Sequence, residues 1–244
     1  MYMKSKRFFV NPFRIISPKL DAEAMRVDES HAVKATEMTC LEEGLLIMLD
    51  KLIEMTTLMH KCMIEVDRDK LVKFGELAEE IHEKEKGLTG DLVCSPSTTG
   101  EVLRTLVLFP GHFGRIGDML ERIIEVASAK ARDGIYFSEK AHEELARLHK
   151  TFLDILSNFR TVLVNRDREL LDYVISKGET FNQMTLDFAL AHRDRLLEGL
   201  CFPKASALYL NILDSAKVAN GHIMDMSRSL AQLADTLRES QVTH

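Results

Sequence analysis

The chain has 244 residues and a net charge of −6, with 45% hydrophobic and 29% charged residues, enough apolar material for a packed core beneath an ordinary charged surface. Five prolines and 12 glycines leave long stretches without a breaker, which favours long helices over a strand-rich fold that needs a turn about every ten residues. No apolar run approaches the roughly 18 residues of a membrane helix, and the acidic body lacks the clustered Lys and Arg that a nucleic-acid-binding face requires.

The N-terminus departs from this average. Lys4, Lys6, Arg7, Arg14 and Lys19 stand there without an acid, interleaved with Phe8, Phe9, Phe13, Ile15 and Ile16, and no continuous apolar core makes the stretch a signal peptide. Residues 1–29 therefore read as a basic, Phe-rich segment that attaches either to the acidic body of the chain or to an anionic membrane surface.

The first helix is marked by Met38, Leu41, Leu45, Met48, Leu52, Met55, Met59, Cys62 and Val66, which step by three and four and hold one narrow apolar stripe. Asp67-Arg68-Asp69 ends it. A second helix carries Leu71, Phe74, Ala78, Ile81, Leu88 and Leu92 and stops near Cys94-Ser95-Pro96. Thr98 and Glu101 then have the spacing of a capping box before a third stripe of Val102, Leu106, Phe109, Phe113, Ile116, Leu120, Ile123 and Ala127, with a kink expected at Pro110. After Gly134 the scheme restarts. Ser138 is placed to cap a fourth helix through Ala141, Leu145, Leu148, Phe152, Ile155, Phe159 and Val162. A fifth runs from about Arg168 to Glu198 and ends at Gly199, and a sixth carries Ile212, Ala216, Ala219, Ile223, Met226, Leu230, Leu233 and Leu237.

The halves are related. Asp67-Arg68-Asp69 recurs as Asp167-Arg168-Glu169 at the turn into each middle helix, and the stripe from Phe109 to Ala127 maps onto that from Ile212 to Leu230 at a constant offset of 103. Internal repetition of this kind predicts an all-α chain of six long helices in two tandem three-helix repeats, residues 30–134 and 135–244.

Phe113-Gly114-Arg115-Ile116-Gly117-Asp118 on the third helix resembles the signature of the PhoU family of phosphate-uptake regulators. His192-Arg193-Asp194-Arg195-Leu196 and Leu208-Tyr209-Leu210-Asn211-Ile212-Leu213 are similar to the PhoU-like tails of sodium–phosphate cotransporter relatives. The resemblance, over about residues 30–240, implies a cytoplasmic, non-enzymatic regulator or accessory protein of phosphate transport. It would sit at the inner face of the membrane and dock helical faces on a membrane transporter or sensor. Family members that bind iron or zinc clusters use a Glu-x-x-x-Asp pair on the second and third helix of each repeat, since residues four apart share a helix face. Here the corresponding positions read Ala78/His82, Gly114/Asp118, Gly178/Asn182 and Lys217/Gly221. A register shifted by about seven residues would use Glu85 and Thr89 instead. No acid pair is complete, so the expectation is no multinuclear cluster and no cofactor beyond one weakly held ion between His82 and Asp118.

Two other readings compete. Glu79/His82 and Glu139/His142 have the Glu-x-x-His spacing of ferritin-like di-metal sites, although such pairs are common by coincidence on solvated helix faces. A purely structural dimerisation module would also show these stripes, and the long seam of the first helix, or of the fourth, predicts a homodimer. His112, His149, His192 and His222 read as isolated, and Asp118 and Glu121 with Arg115 and Arg122 as a solvated ion-pair network. Cys40, Cys62, Cys94 and Cys201 are too scattered for a disulfide framework, which fits a reducing compartment, with Cys62 a buried apolar residue. No phosphate loop, nucleophile elbow or Cys/His constellation supports a hydrolase, kinase or dehydrogenase.

Overall fold

The structure, a computed structural model, describes residues 29–93 and 101–242. The basic segment 1–20, the Thr98 capping box and Cys94 lie outside these residues. The described chain is helical: α1 (Glu29–Ile64), α2 (Arg68–Val93), α3 (Glu101–Leu106), α4 (Phe109–Arg132), α5 (Glu139–Asn165), α6 (Arg168–Leu197) and α7 (Pro203–Val242). Six of these are long, as expected. The third stripe is split rather than kinked, however. Pro110 sits in the first turn of α4, where a missing N–H costs nothing, and Val107 and Leu108 form a turn between the short α3 and α4.

The matching turns of the two halves are built alike. Asp67 Oδ1 accepts from the backbone N–H of Asp69 (2.9 Å) and Lys70 (3.4 Å), and Asp167 Oδ1 from those of Glu169 (2.9 Å) and Leu170 (3.2 Å). Each carboxylate satisfies two of the orphan donors of a helix start and complements its positive end. α4 and α6 also end alike. Ile135 N–H donates to Lys130 C=O (2.9 Å) and Leu200 N–H to Arg195 C=O (2.8 Å), with Gly134 and Gly199 at φ +62° and +74° making the reversal, the closure that favours glycine after a helix. Ser138 caps α5 by accepting from Ala141 N–H at 3.2 Å.

α1, α2 and α4 pack on one another, as do α5, α6 and α7; across the halves α4 lies along α7 and α1 along α5. The α4–α7 contact is the most extensive of all. One contiguous core results, running from Leu41 to Ala234. Phe159 of α5 sits 6.3 Å from the ring of Phe109 and 6.4 Å from that of Phe113, both on α4. The stripe of α1 (Leu41, Leu45, Met48, Leu52, Met55, Met59 and Cys62) is buried within the chain. From Leu41 to Cys62 this stripe covers three partners, α2, α4 and α5, while Ile47 on the same helix and Val66, past the helix end, are exposed.

A polar lock closes the end of the second half. Glu144 of α5 is 3% exposed. It receives two hydrogen bonds from the Arg195 guanidinium of α6, at 2.8 and 2.7 Å, and one from the Tyr209 hydroxyl of α7 at 2.5 Å. Tyr209 packs on His192, ring centroids 4.6 Å apart, and His192 Nε2 meets Ser206 Oγ at 2.6 Å. The two local runs that carry the family resemblance in this half, around His192 and Tyr209, therefore meet in space.

Breaking a buried pair by removing one charge strands the other in a low dielectric, at about 3–5 kcal/mol. Arg195→Ala is expected to lower the unfolding free energy by about that amount, with Glu144→Gln in the same background recovering a large part. Guanidinium denaturation of both variants checks this, and a loss below about 1 kcal/mol for Arg195→Ala would show the pair contributes little.

Candidate functional site

The positions singled out in the first half converge. His82, on α2, points at α4: its Nε2 lies 3.5 Å from Asp118 Oδ1 and 3.9 Å from Glu121 Oε2, and its Nδ1 lies 3.7 Å from Glu85 Oε2 one turn along α2. All four side chains are about one-third exposed. Arg115 Nη1 approaches Asp118 from the solvent side at 3.6 Å. Glu85 is seated against Gly114, with its carboxylate where a Cβ at Gly114 would stand. The two registers weighed from sequence thus both contribute: His82 comes from one and Glu85 from the other, and glycine at 114 is what admits the acid.

The cluster holds three carboxylates around one imidazole. Burial raises the Glu121 carboxyl above the usual range, the His82 ring opposing and the charges of Asp118 and Glu125 reinforcing the shift. His82, Asp118 and Glu121 each offer a ligand atom within 4.8 Å of the others, a mixed N/O set suited to one borderline divalent ion. Glu121, read from sequence as part of a solvated network, was legible as a ligand from its spacing of three from Asp118.

The corresponding positions of the second half carry amides, glycines and one lysine. Asn220 Nδ2 donates to the Gly178 carbonyl at 2.9 Å and to Asn182 Oδ1 at 3.0 Å. Gly178 is close-packed under the Met224 thioether. Lys217 and Gly221 line a surface groove beside Asn182. Amides joined to each other and a lysine ammonium do not supply the carboxylates of a multinuclear cluster, so the donor set of this half does not fit one.

The ferritin-like pairs do not converge. Glu79, Glu139 and His142 belong to neither of the ligand clusters found among the described residues; His142 is exposed and leans on the Phe137 ring at 5.9 Å. His112, His149, His192 and His222 are not isolated. His60 of α1 and His149 of α5 stack at 4.1 Å with their planes 10° apart, and His112 of α4 meets His222 of α7. His192 belongs to the lock described above.

No protein-family model matches the chain, and no curated protein sequence matches it. Solved structures do. The crystal structure of the phosphate transport system regulatory protein PhoU from Streptococcus pneumoniae superposes with a TM-score of 0.70 at 14% identity, covering 82% of this chain and 95% of that one. That of PhoU from Pseudomonas aeruginosa gives 0.72 at 13% identity, covering 83% and 99%. The chain has the PhoU fold. At such low identity the likeness is one of architecture. No helix among the described residues is long and apolar enough to cross a membrane.

The stacked histidines give a pH dependence. His149 titrates at about 4, lowered first by burial and then by the neighbouring His60 charge, while a hydrogen bond to the Thr56 backbone works the other way. Unfolding returns it to about 6.5, so the unfolded state takes up a proton first and stability falls as pH drops from about 6.5 to about 4. His149→Gln should flatten that fall. Denaturation midpoints measured across the window check it, and parallel wild-type and variant curves would refute the assignment.

Proposed function

We propose that the chain is a non-enzymatic regulator or accessory protein of phosphate transport, working in the cytoplasm at the inner face of the membrane by docking on a transporter or sensor. The observation that carries this reading is the PhoU fold spanning more than four-fifths of the chain and nearly the whole of two PhoU structures, one of them a phosphate transport system regulatory protein. The α6–α7 turn supports docking: Leu197, Leu200 and Phe202 stand 80%, 65% and 77% exposed at one end of the bundle, more apolar surface than a short connection needs for folding. A single divalent ion held weakly by His82, Asp118 and Glu121 belongs to the same reading, as does a homodimer using Ile47 of α1 or Val164 of α5, apolar side chains these helices leave exposed.

Deleting the gene should change phosphate uptake severalfold, and a wild-type copy should restore it. Leu197→Asp with Phe202→Asp should fail to restore it while leaving the melting temperature unchanged, because neither side chain is in the core. Uptake indifferent to deletion would overturn the reading. Sedimentation at micromolar concentration tests the dimer, with a monomer alone counting against it.

A further inference from the structure

A second ligand cluster lies on the seam between the two halves, formed by residues that the family pattern does not mark. His112, in the first turn of α4, and His222, in the middle of α7, face each other with Nδ1 atoms 3.1 Å apart. Asp225 stands one turn beyond His222 on the same face of α7, and the three residues each place a ligand atom within 4.8 Å of the others. Both histidines are half-buried and Asp225 is exposed.

The geometry points to a binding site for a zinc-class divalent cation, formed by His112, His222 and Asp225, that clamps α4 of the first half to α7 of the second.

Two imidazole nitrogens bound at about 2.0–2.1 Å in tetrahedral geometry lie about 3.3 Å apart, close to the separation already present. Two nitrogens and one carboxylate oxygen select a borderline ion over magnesium or calcium, which want oxygen throughout. Three protein ligands leave the fourth position to water. Without an ion, one ring donates its Nδ1–H to the other. On binding, that proton moves to Nε2 of the same neutral ring, so both Nδ1 lone pairs face the metal and no proton is lost from either histidine.

The surroundings keep both rings in the form that binds. Burial lowers both histidines from their ordinary value, and the charges facing them are mixed: Asp225 toward both, with Asp118 and Arg115 also toward His222. The carboxylates of Asp225 and Asp118 favour a cation there and Arg115 opposes it, so the site has a modest favourable field. Its place matters more than its depth. The ligands lie 110 positions apart in sequence and join the helices with the most extensive contact in the molecule. An ion bound only by the folded arrangement stabilises it by mass action and holds the two halves in one relative position.

The test is a zinc titration of the full chain against a chelating dye, with melting temperature followed in parallel and Co2+ absorption as a report on geometry. Wild type should bind one Zn2+ at this site, melt higher with zinc, and give the intense visible bands of tetrahedral Co2+. His112→Gln and His222→Gln should each weaken that binding by about a hundredfold or more and remove the Co2+ bands. Asp225→Asn, at an exposed position that cannot disturb the core, should weaken binding without lowering the zinc-free melting temperature. His82→Gln should leave all these readouts in place. Unchanged zinc affinity in His112→Gln and His222→Gln, or loss of the Co2+ bands in His82→Gln alone, would overturn the assignment. These outcomes are independent of phosphate uptake, so the site stands or falls separately from the proposed function.

Discussion

The structure depends on the contact between α4 and α7. Each three-helix unit has an apolar stripe on its third helix that two partner helices do not fully cover, as is general for repeats that cannot bury their core alone. Laying the third helix of one unit along that of the other closes both at once and makes a single core, with Phe159 of α5 reaching across to Phe109 and Phe113. Small residues sit on this side of α7, where Ala216 and Ala219 are buried, while Gly114 and Gly117 of α4 face Glu85 and Ile81 of α2. α1 completes the closure by packing on α5 as well as on its own partners, which is why its stripe is so long.

Against that shared frame the two units have gone different ways in their polar positions. In the first, glycine at 114 makes room for Glu85, and three carboxylates gather round His82. In the second, Gly178 is packed under Met224, and the Asn220 amide nitrogen donates to the Gly178 carbonyl and to Asn182 Oδ1, while Asn220 Oδ1 is buried without a partner. One unit carries a charged, partly wet cluster that attracts a cation; the other carries amides joined by hydrogen bonds at the corresponding level. The buried charge of the second unit lies instead at its end, where Glu144 is held by Arg195 and Tyr209. There a carboxylate is tolerable because three donors replace the water it lost. Two histidine pairs, by contrast, lie on the seam. His60 with His149 and His112 with His222 each join one unit to the other, so protonation or metal binding at either pair acts on the relation between units rather than within one.

The helices, their capping residues and the repeat were legible in the sequence because they rest on local rules. Period and propensity act over a few residues: the stripe of α5 is buried position for position, and Asp67, Asp167, Ser138 and Gly199 do at the turns what their chemistry predicts. Pro110 was legible as a disturbance but not as a helix start, since a missing N–H is tolerated at either kind of position and only the packing of α3 on α7 decides between them. The meeting of His82 with Asp118 followed from aligning the two turns, a local marker carried across one helix pair. Tertiary structure alone decided the rest. That Glu85 fits beside Gly114 depends on how closely α2 approaches α4. That His112 meets His222, His60 meets His149 and Glu144 meets Arg195 depends on how one helix lies along another, over separations at which no periodicity in a single chain carries information. Side chains on different helices are brought together by the burial of apolar surface elsewhere, and the polar groups that meet there are set by that packing rather than by their own spacing.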